Sequence, residues 1–218
     1  MENFEFKVTE NTITETFSFD CIDMVKVEIA YPVLSGGINS ARNRINRFYK
    51  HAADAFLRYA KCILLPSAIE TYKFAQENSY PFMPYELNVA YCVTKNDCQI
   101  FSVYRDAYEF TGGAHGNTIR YGDTWSSCTG WPVQLKEMFP PCTRYRRILT
   151  DNAIEQARRR QAAGFVQYFD DFEKLIRKYF RPSNFYITPD GIAIFYQQYE
   201  IAPYVAGIQV FIYENTAE

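Results

Sequence analysis

Residues 109–125 read EFTGGAHGNTIRYGDTW, a stretch in which three glycines surround one of the two histidines of the chain. Apolar and aromatic residues alternate with polar ones on both sides of these glycines, which is typical of β-strands. Glycine adopts a positive backbone φ without steric cost. The segment therefore predicts two strands that bend sharply, with positive φ at Gly112-Gly113 and at Gly116-Asn117. In this interpretation Gly112, Gly113 and Gly116 are structural.

His115 in this segment is a candidate functional residue. A phosphate loop would need a helix after the glycines, and here a predicted strand follows. A nucleophile relay would need a nucleophile with recognisable flanks, and the sequence contains no GxSxG. It contains no HxH or HExxH pattern either. We therefore predict no catalytic residue, no metal site and no cofactor. His115 is then a structural histidine or a contact residue; a small hydrolase that uses it is the third alternative.

The rest of the chain predicts an α+β fold with a mainly antiparallel sheet packed with two or three long helices. Strand and helix patterns come in blocks and do not alternate strictly. We expect Asn39 or Ser40 to cap the first helix, Pro66 to kink or break it, and a bulge near Arg105-Asp106 to change the buried face of a strand. The predicted elements are strands within 4–31, helix within 38–76, strands within 85–130, helices at 143–163 and 165–180, a hairpin at 185–196 and a strand at 208–212.

A second candidate surface is QQYEIAPYVAG, residues 197–207, between the hairpin and the last strand. Tyrosine and proline offer rigid contact area at low entropic cost, which suits a recognition surface. Burial of these side chains in a packed crossing is the alternative. Tyr199, Glu200, Pro203 and Tyr204, together with His115 and Asn117, are the predicted partner-binding residues.

Composition and charge exclude several classes of partner. The net charge is −2, so no overall field attracts nucleic acid or a membrane. Six arginines crowd residues 144–160 but fall on several helix faces, and we interpret them as an ion-paired surface, with the six acids of residues 1–23 as an internal partner. We predict that the six cysteines are buried free thiols, with a Cys92–Cys98 disulfide as the alternative. The sequence shows no signal peptide and no transmembrane segment, so we expect a soluble chain.

Three segments together resemble the RsiV-like domain family: DAYEFTGGAHGNTIRYGDTW, TGWPVQLKEMF and FYITPDGIAIFYQQYEIAPYVAG. The family is named for the extracytoplasmic part of a bacterial anti-sigma factor that senses lysozyme, and similar domains are attached to a peptidoglycan deacetylase. The resemblance implies an RsiV-like C-terminal domain over residues 85–218. Residues 1–84 resemble the α+β region that usually precedes it, and we expect both to share one compact unit.

The resemblance also implies a function. It predicts a non-catalytic recognition module that binds a protein partner, with a lysozyme-like muramidase as the candidate. A cell-wall module that binds peptidoglycan fragments by stacking Trp125 or Trp131 on sugars is the alternative. We predict no nucleic-acid partner and no membrane span. The resemblance implies an extracytoplasmic location, whereas the missing export signal leaves a cytoplasmic one open.

Overall fold

The computed structural model describes residues 5–214, which form two sheets and four α-helices. The five-stranded sheet has the order β1-β2-β3-β4-β5, and the three-stranded sheet has the order β6-β7-β8. The β2–β3 pair is parallel, while β1–β2, β6–β7 and β7–β8 are antiparallel. The predicted α+β class is confirmed. The elements are β1 Phe6–Phe19, β2 Ile22–Gly36, α1 Asn39–Tyr59, α2 Leu65–Glu77, β3 Tyr85–Asn96, β4 Ile100–Phe110, β5 Asn117–Ser126, α3 Tyr145–Ala162, α4 Phe172–Tyr179, β6 Phe185–Thr188, β7 Gly191–Tyr196 and β8 Gln209–Tyr213.

The chain divides into two compact units, and each of the strands β3, β4 and β5 contributes residues to both. The first unit holds the residues up to 91 together with 105–118. The second holds 92–104 and the residues from 119 onward. The boundary that the sequence predicts, between residues 84 and 85, stays a prediction, as does the single compact unit.

The first unit is a long β1–β2 hairpin with α1 packed on β2. Helix α1 buries Ala41, Ile45, Tyr49 and Ala53, which recur every four residues and so lie on one face. The side chain of Asn46 fastens this helix to the end of β2. Its Oδ1 accepts a hydrogen bond from the amide of Leu34 at 2.8 Å, and its Nδ2 donates to the carbonyl of Leu34 at 2.9 Å.

The ends of α1 differ from the prediction. Ile38 is the N-cap and makes no side-chain capping bond, so the predicted cap by Asn39 or Ser40 is wrong. Ile38 is extended and its carbonyl accepts from Arg42 at 2.9 Å, which places residues 39 and 40 inside the first turn. After α1 the chain makes a π-helical turn over residues 60–64, and Pro66 lies in the first turn of α2. A wider turn accommodates a residue that has no amide hydrogen.

Strand β4 changes its buried face later than predicted. Phe101, Val103, Arg105 and Ala107 are all buried, so the odd-numbered face continues through the predicted position at Arg105-Asp106. The next buried residue is Phe110. The change of face therefore lies between Ala107 and Phe110.

In the second unit, α3 and α4 cover the three-stranded sheet. Leu149, Ala153 and Ala157 of α3 and Ile176 of α4 pack in one core with Phe211 of β8. The predicted helix over 165–180 is shorter, because α4 begins only at Phe172. Gly164, with φ +73°, ends the preceding helix, and the loop after it buries Tyr168 and donates the Phe169 amide to Ile201.

Strand β6 lies close to β4 and β5 within this unit. A Cβ on Gly122 would stand 1.9 Å from the carbonyl oxygen of Phe185, so only glycine fits there. The amide of Ile187 donates to Ser102 Oγ at 2.8 Å, and its carbonyl accepts from Thr94 Oγ1 at 2.6 Å. Side-chain hydroxyls thus satisfy both backbone groups of Ile187, as a buried strand requires.

All six cysteines are exposed free thiols, so the prediction that they are buried is wrong. Cys21, Cys98, Cys128 and Cys142 lie in turns, which keeps them out of both cores. Over residues 5–214, no helix combines the length and the apolar character needed to cross a bilayer.

Candidate functional site

The candidate site is the crossing between β7 and β8, residues 197–207. It begins with a turn that is closed by two hydrogen bonds between Gln197 and Glu200. The amide of Glu200 donates to the carbonyl of Gln197 at 3.2 Å, and Glu200 Oε2 accepts from the amide of Gln197 at 2.8 Å. The charged acceptor and the backbone bond together fix the start of the crossing.

Tyr199 stands at the top of this turn in an unusual backbone conformation. Its φ is +64°, and its residue surface is 54 % exposed. A non-glycine residue pays about 1–2 kcal/mol for this left-handed region. The ring of Tyr199 lies against that of Tyr204, with 5.6 Å between their centroids. The strained turn therefore holds one tyrosine outward beside a second, half-buried one.

The crossing continues through Pro203 into a short 3-10 turn, Tyr204–Ala206. The amide of Ala206 donates to the carbonyl of Pro203 at 3.0 Å, and Gly207, at φ +66°, ends the turn. Val205, at the outer side of this turn, is 92 % exposed. The aromatic crossing, defined here as Tyr199, Pro203, Tyr204 and Val205, thus presents mostly apolar surface.

Three anchors hold the backbone beneath this surface. The side chain of Gln197 pairs with the backbone of Arg120 in β5: Oε1 accepts from the Arg120 amide at 3.0 Å and Nε2 donates to its carbonyl at 2.7 Å. Ile201 and Ala202 are buried in the core of the second unit. The carbonyl of Ile201 accepts from the amide of Phe169 at 3.2 Å. Side-chain hydrogen bonds, burial in the core and a backbone hydrogen bond therefore all fix the backbone of the crossing.

Glu200 carries the main electrostatic feature of the crossing. Its side chain is only 13 % exposed. Burial raises the pKa of this carboxyl, while the hydrogen bond from the Gln197 amide and the guanidinium of Arg181, 4.0 Å away, offset part of that rise. Burial and the nearby Glu200 carboxylate also raise the pKa of the Tyr196 phenol, which donates to the carbonyl of Ile176 at 3.0 Å.

The three predicted structural glycines, Gly112, Gly113 and Gly116, belong to the first unit. Gly112 and Gly113 have φ of +95° and +86°, which confirms the predicted positive φ at these two residues. The prediction of positive φ at Gly116-Asn117 is wrong. Gly116 is needed for space instead, because a Cβ there would stand 2.4 Å from the carbonyl oxygen of Glu109 and 2.5 Å from the ring of Tyr108.

The structure thus separates the predicted contact residues into two groups. Tyr199, Glu200, Pro203 and Tyr204 form one local arrangement in the second unit. His115 and Asn117 are exposed and belong to the first unit, where His115 Nδ1 lies 3.0 Å from the carbonyl oxygen of Gly116. Their role in binding stays a prediction for both groups.

Three residues of the site were not singled out by the sequence: Gln197, Arg120 and Val205. Gln197 and Arg120 are far apart in the chain, and neither belongs to a pattern that marks the hydrogen bonds between them. Val205 directly follows Tyr204, and its place beside the predicted contact residues was a usable signal. Among residues 5–214, no three His, Cys, Asp or Glu side chains are grouped so that they could hold a metal ion.

The arginine-rich helix is ion-paired, as predicted. Arg158 lies 2.6 Å from Glu173 of α4, and Arg159 pairs with Glu155 one turn earlier. Asp151 accepts from Arg177 at 2.7 Å. The acids in these pairs lie on α3 and α4. The predicted pairing with the acids of residues 1–23 stays a prediction.

Two segments of the chain match models of known domain families. Residues 21–118 match the family model described as "Deacetylase PdaC", and residues 136–212 match "Protein of unknown function (DUF3298)". These domains are related to the RsiV-like family, so the resemblance found in the sequence is supported in part. The search of curated protein sequences gave no match.

Two solved structures share the fold. A DUF3298 family member from Bacteroides fragilis matches with a TM-score of 0.72 and 20 % identity, over 98 % of this chain and 92 % of that one. A DUF3298 family protein from Pseudomonas aeruginosa matches with a TM-score of 0.63 and 15 % identity, over 96 % of this chain and 90 % of that one. At these identities the likeness concerns the fold alone.

Gly113→Val tests the structural role of the glycine segment. Nothing lies within 4 Å of a Cβ built at Gly113, so the cost arises from its φ of +86° and not from a clash. We expect a loss of about 1–3 kcal/mol in unfolding free energy, measured by urea denaturation. Ala114→Val, an exposed neighbour without positive φ, is the matched control. Equal stability of the two variants would contradict the interpretation.

Glu200→Gln tests the electrostatics of the crossing. Burial raises the pKa of Glu200 in the folded state, so ionisation of this carboxyl opposes folding. The protonated carboxyl therefore stabilises the fold below its ordinary pKa of 4.5, and this stability is lost as pH rises through the folded pKa. The variant stays neutral, so we expect its unfolding free energy to rise relative to wild type from below pH 4.5 towards neutral pH. Urea denaturation across this range measures the difference, with Glu77→Gln as a control for the lost charge. A difference that falls with pH would mean that Arg181 dominates.

Proposed function

We propose that the chain is a non-catalytic recognition module that binds a protein partner through the aromatic crossing. The observation that carries this proposal is Tyr199, which is held outward at a positive φ and against Tyr204 on an anchored backbone. Strained conformations of this kind persist only where the surrounding structure enforces them, and they concentrate at functional sites.

The physical properties of the crossing favour binding to a protein surface. Tyrosine offers a large apolar ring and a polar tip, and it loses little conformational freedom when it becomes buried. Here Tyr204 and the turn of Glu200 already limit that freedom before any partner arrives. Binding to a preorganised loop costs less ordering entropy, so more of the contact energy contributes to affinity.

A muramidase of the lysozyme type is the partner we propose, on the strength of the RsiV-like resemblance. Such a partner is strongly basic, and association with it is faster when the binding protein carries exposed acids. The β1–β2 hairpin of the first unit exposes Glu10, Glu15, Asp20 and Glu28. These acids would speed encounter at low salt, and the aromatic crossing would supply the lasting contact.

Isothermal titration calorimetry with a c-type lysozyme, at low and physiological salt, tests the proposal. We expect 1:1 binding that weakens as salt rises. Tyr199→Ala and Tyr204→Ala should each weaken binding by at least about tenfold, since central aromatic residues contribute most to an interface. Tyr80→Ala removes an exposed tyrosine of the first unit and is the matched control.

The titrations test the proposed surface and the proposed partner separately. Tight binding that is unchanged in both crossing variants would keep the partner and overturn the proposed surface. An absence of heat at either salt would overturn the muramidase as partner.

A cell-wall module is the second candidate, and an exposed tryptophan favours it. Trp131 is 60 % exposed in the turn after β5, where a ring could stack on a sugar. Trp125, the other predicted residue, is 5 % exposed and is therefore excluded as a stacking surface. Cosedimentation with purified peptidoglycan, lost in Trp131→Ala and retained in Tyr199→Ala, would favour this candidate.

A further inference from the structure

We infer that Cys98, in the turn before β4, and Cys128, in the turn after β5, form a disulfide when the chain meets an oxidised low-molecular-weight disulfide. Both thiols are exposed. Sγ of Cys128 donates to the backbone carbonyl of Cys98 at 3.4 Å, so this thiol lies directly against the other cysteine. The inference is independent of the proposed partner binding.

Contacts at the ends of two neighbouring strands lead to the same pair. Ser102 Oγ of β4 lies 3.0 Å from Thr124 Oγ1 of β5. Gln99 directly precedes β4 and Ser127 directly follows β5, and the amide of Ser127 donates to the carbonyl of Gln99 at 2.8 Å. Cys98 and Cys128 are the next residues outward, in the turns at these two strand ends.

A disulfide spans Cα separations of about 4.4–6.8 Å. Because Sγ of Cys128 already touches the backbone of Cys98 and both residues lie in turns, the two sulfurs can approach without a movement of β4 or β5. The turn that carries Cys98 is held by Asp97 Oδ1, which accepts from the amides of Gln99 at 2.9 Å and Ile100 at 2.7 Å.

The other cysteine of this hairpin is less well placed. Thr94 Oγ1 donates to the carbonyl of Ser102 at 3.2 Å, so Thr94 lies beside β4 and not in the turn that holds Cys98. Cys92 lies two residues further from that turn along β3. The Cys92–Cys98 disulfide, the alternative considered from the sequence, would have to bridge six residues along the hairpin. Cys92 therefore serves as an internal control.

The reaction proceeds by two exchanges. One protein thiolate attacks the oxidised disulfide, for example oxidised glutathione, and releases one glutathione thiolate while a mixed disulfide forms. The second protein thiolate then attacks the protein sulfur of that mixed disulfide and releases the second glutathione. The two protein thiols lose two electrons and two protons in total, and the two glutathione molecules receive both.

Thiol counting and peptide mapping test the inference. The reduced chain is incubated with oxidised glutathione, denatured, alkylated with N-ethylmaleimide and weighed by mass spectrometry. We expect two of the six thiols to be lost, and the melting temperature to rise by roughly 5 °C or more, reversed by dithiothreitol. Cleavage after Lys and Arg places the two cysteines in separate peptides, NDCQIFSVYR and YGDTWSSCTGWPVQLK, which should be linked.

Two variants make the result specific. Cys92→Ser should still form the linked peptides, whereas Cys128→Ser should stop at a glutathione adduct on Cys98. Six thiols remaining in the wild type, glutathione adducts without linkage, or linkage to any other cysteine would overturn the inference.

Discussion

Two hydrogen bonds between the Gln197 side chain and the backbone of Arg120 hold the aromatic crossing in place. Gln197 directly follows β7, and it pairs with the amide and the carbonyl of Arg120 on β5, the last strand in the order of its sheet. An amide side chain carries both a donor and an acceptor, so it can replace the missing strand neighbour. Asn46 does the same for Leu34 in the first unit. Side-chain amides thus complete sheets where the main chain departs.

The second unit accommodates strain because its backbone is fixed at several points. The positive φ of Tyr199 costs about 1–2 kcal/mol. The hydrogen bonds of Gln197 and Glu200 at the turn, and the burial of Ile201, oppose its relaxation. Close packing also limits sequence choice, as at Gly122, where the carbonyl of Phe185 leaves no space for a Cβ. The backbone of the aromatic crossing is therefore fixed in the free chain.

Periodic patterns predicted most of the fold, because strands and helices each leave a regular trace in the sequence. The hairpin turn before Gly191 and the positive φ of Gly112 follow from local chemistry alone. The shorter α4 and the exposed cysteines did not, since they depend on which face the tertiary core covers. In the site, the tyrosines of the crossing were visible as a composition signal. The bonds from Gln197 to Arg120 were not, because no local pattern relates residues 77 positions apart.

The hydrogen bonds of Gln197 order the crossing before any partner binds. Amide hydrogen exchange of Arg120, followed by NMR in the free protein, tests this most directly, since that amide donates to Gln197 Oε1. We expect slow exchange in the wild type, exchange at least about tenfold faster in Gln197→Ala, and no change in Gln161→Ala. Rapid exchange of the Arg120 amide in the wild type would mean that the crossing is not ordered in the free protein.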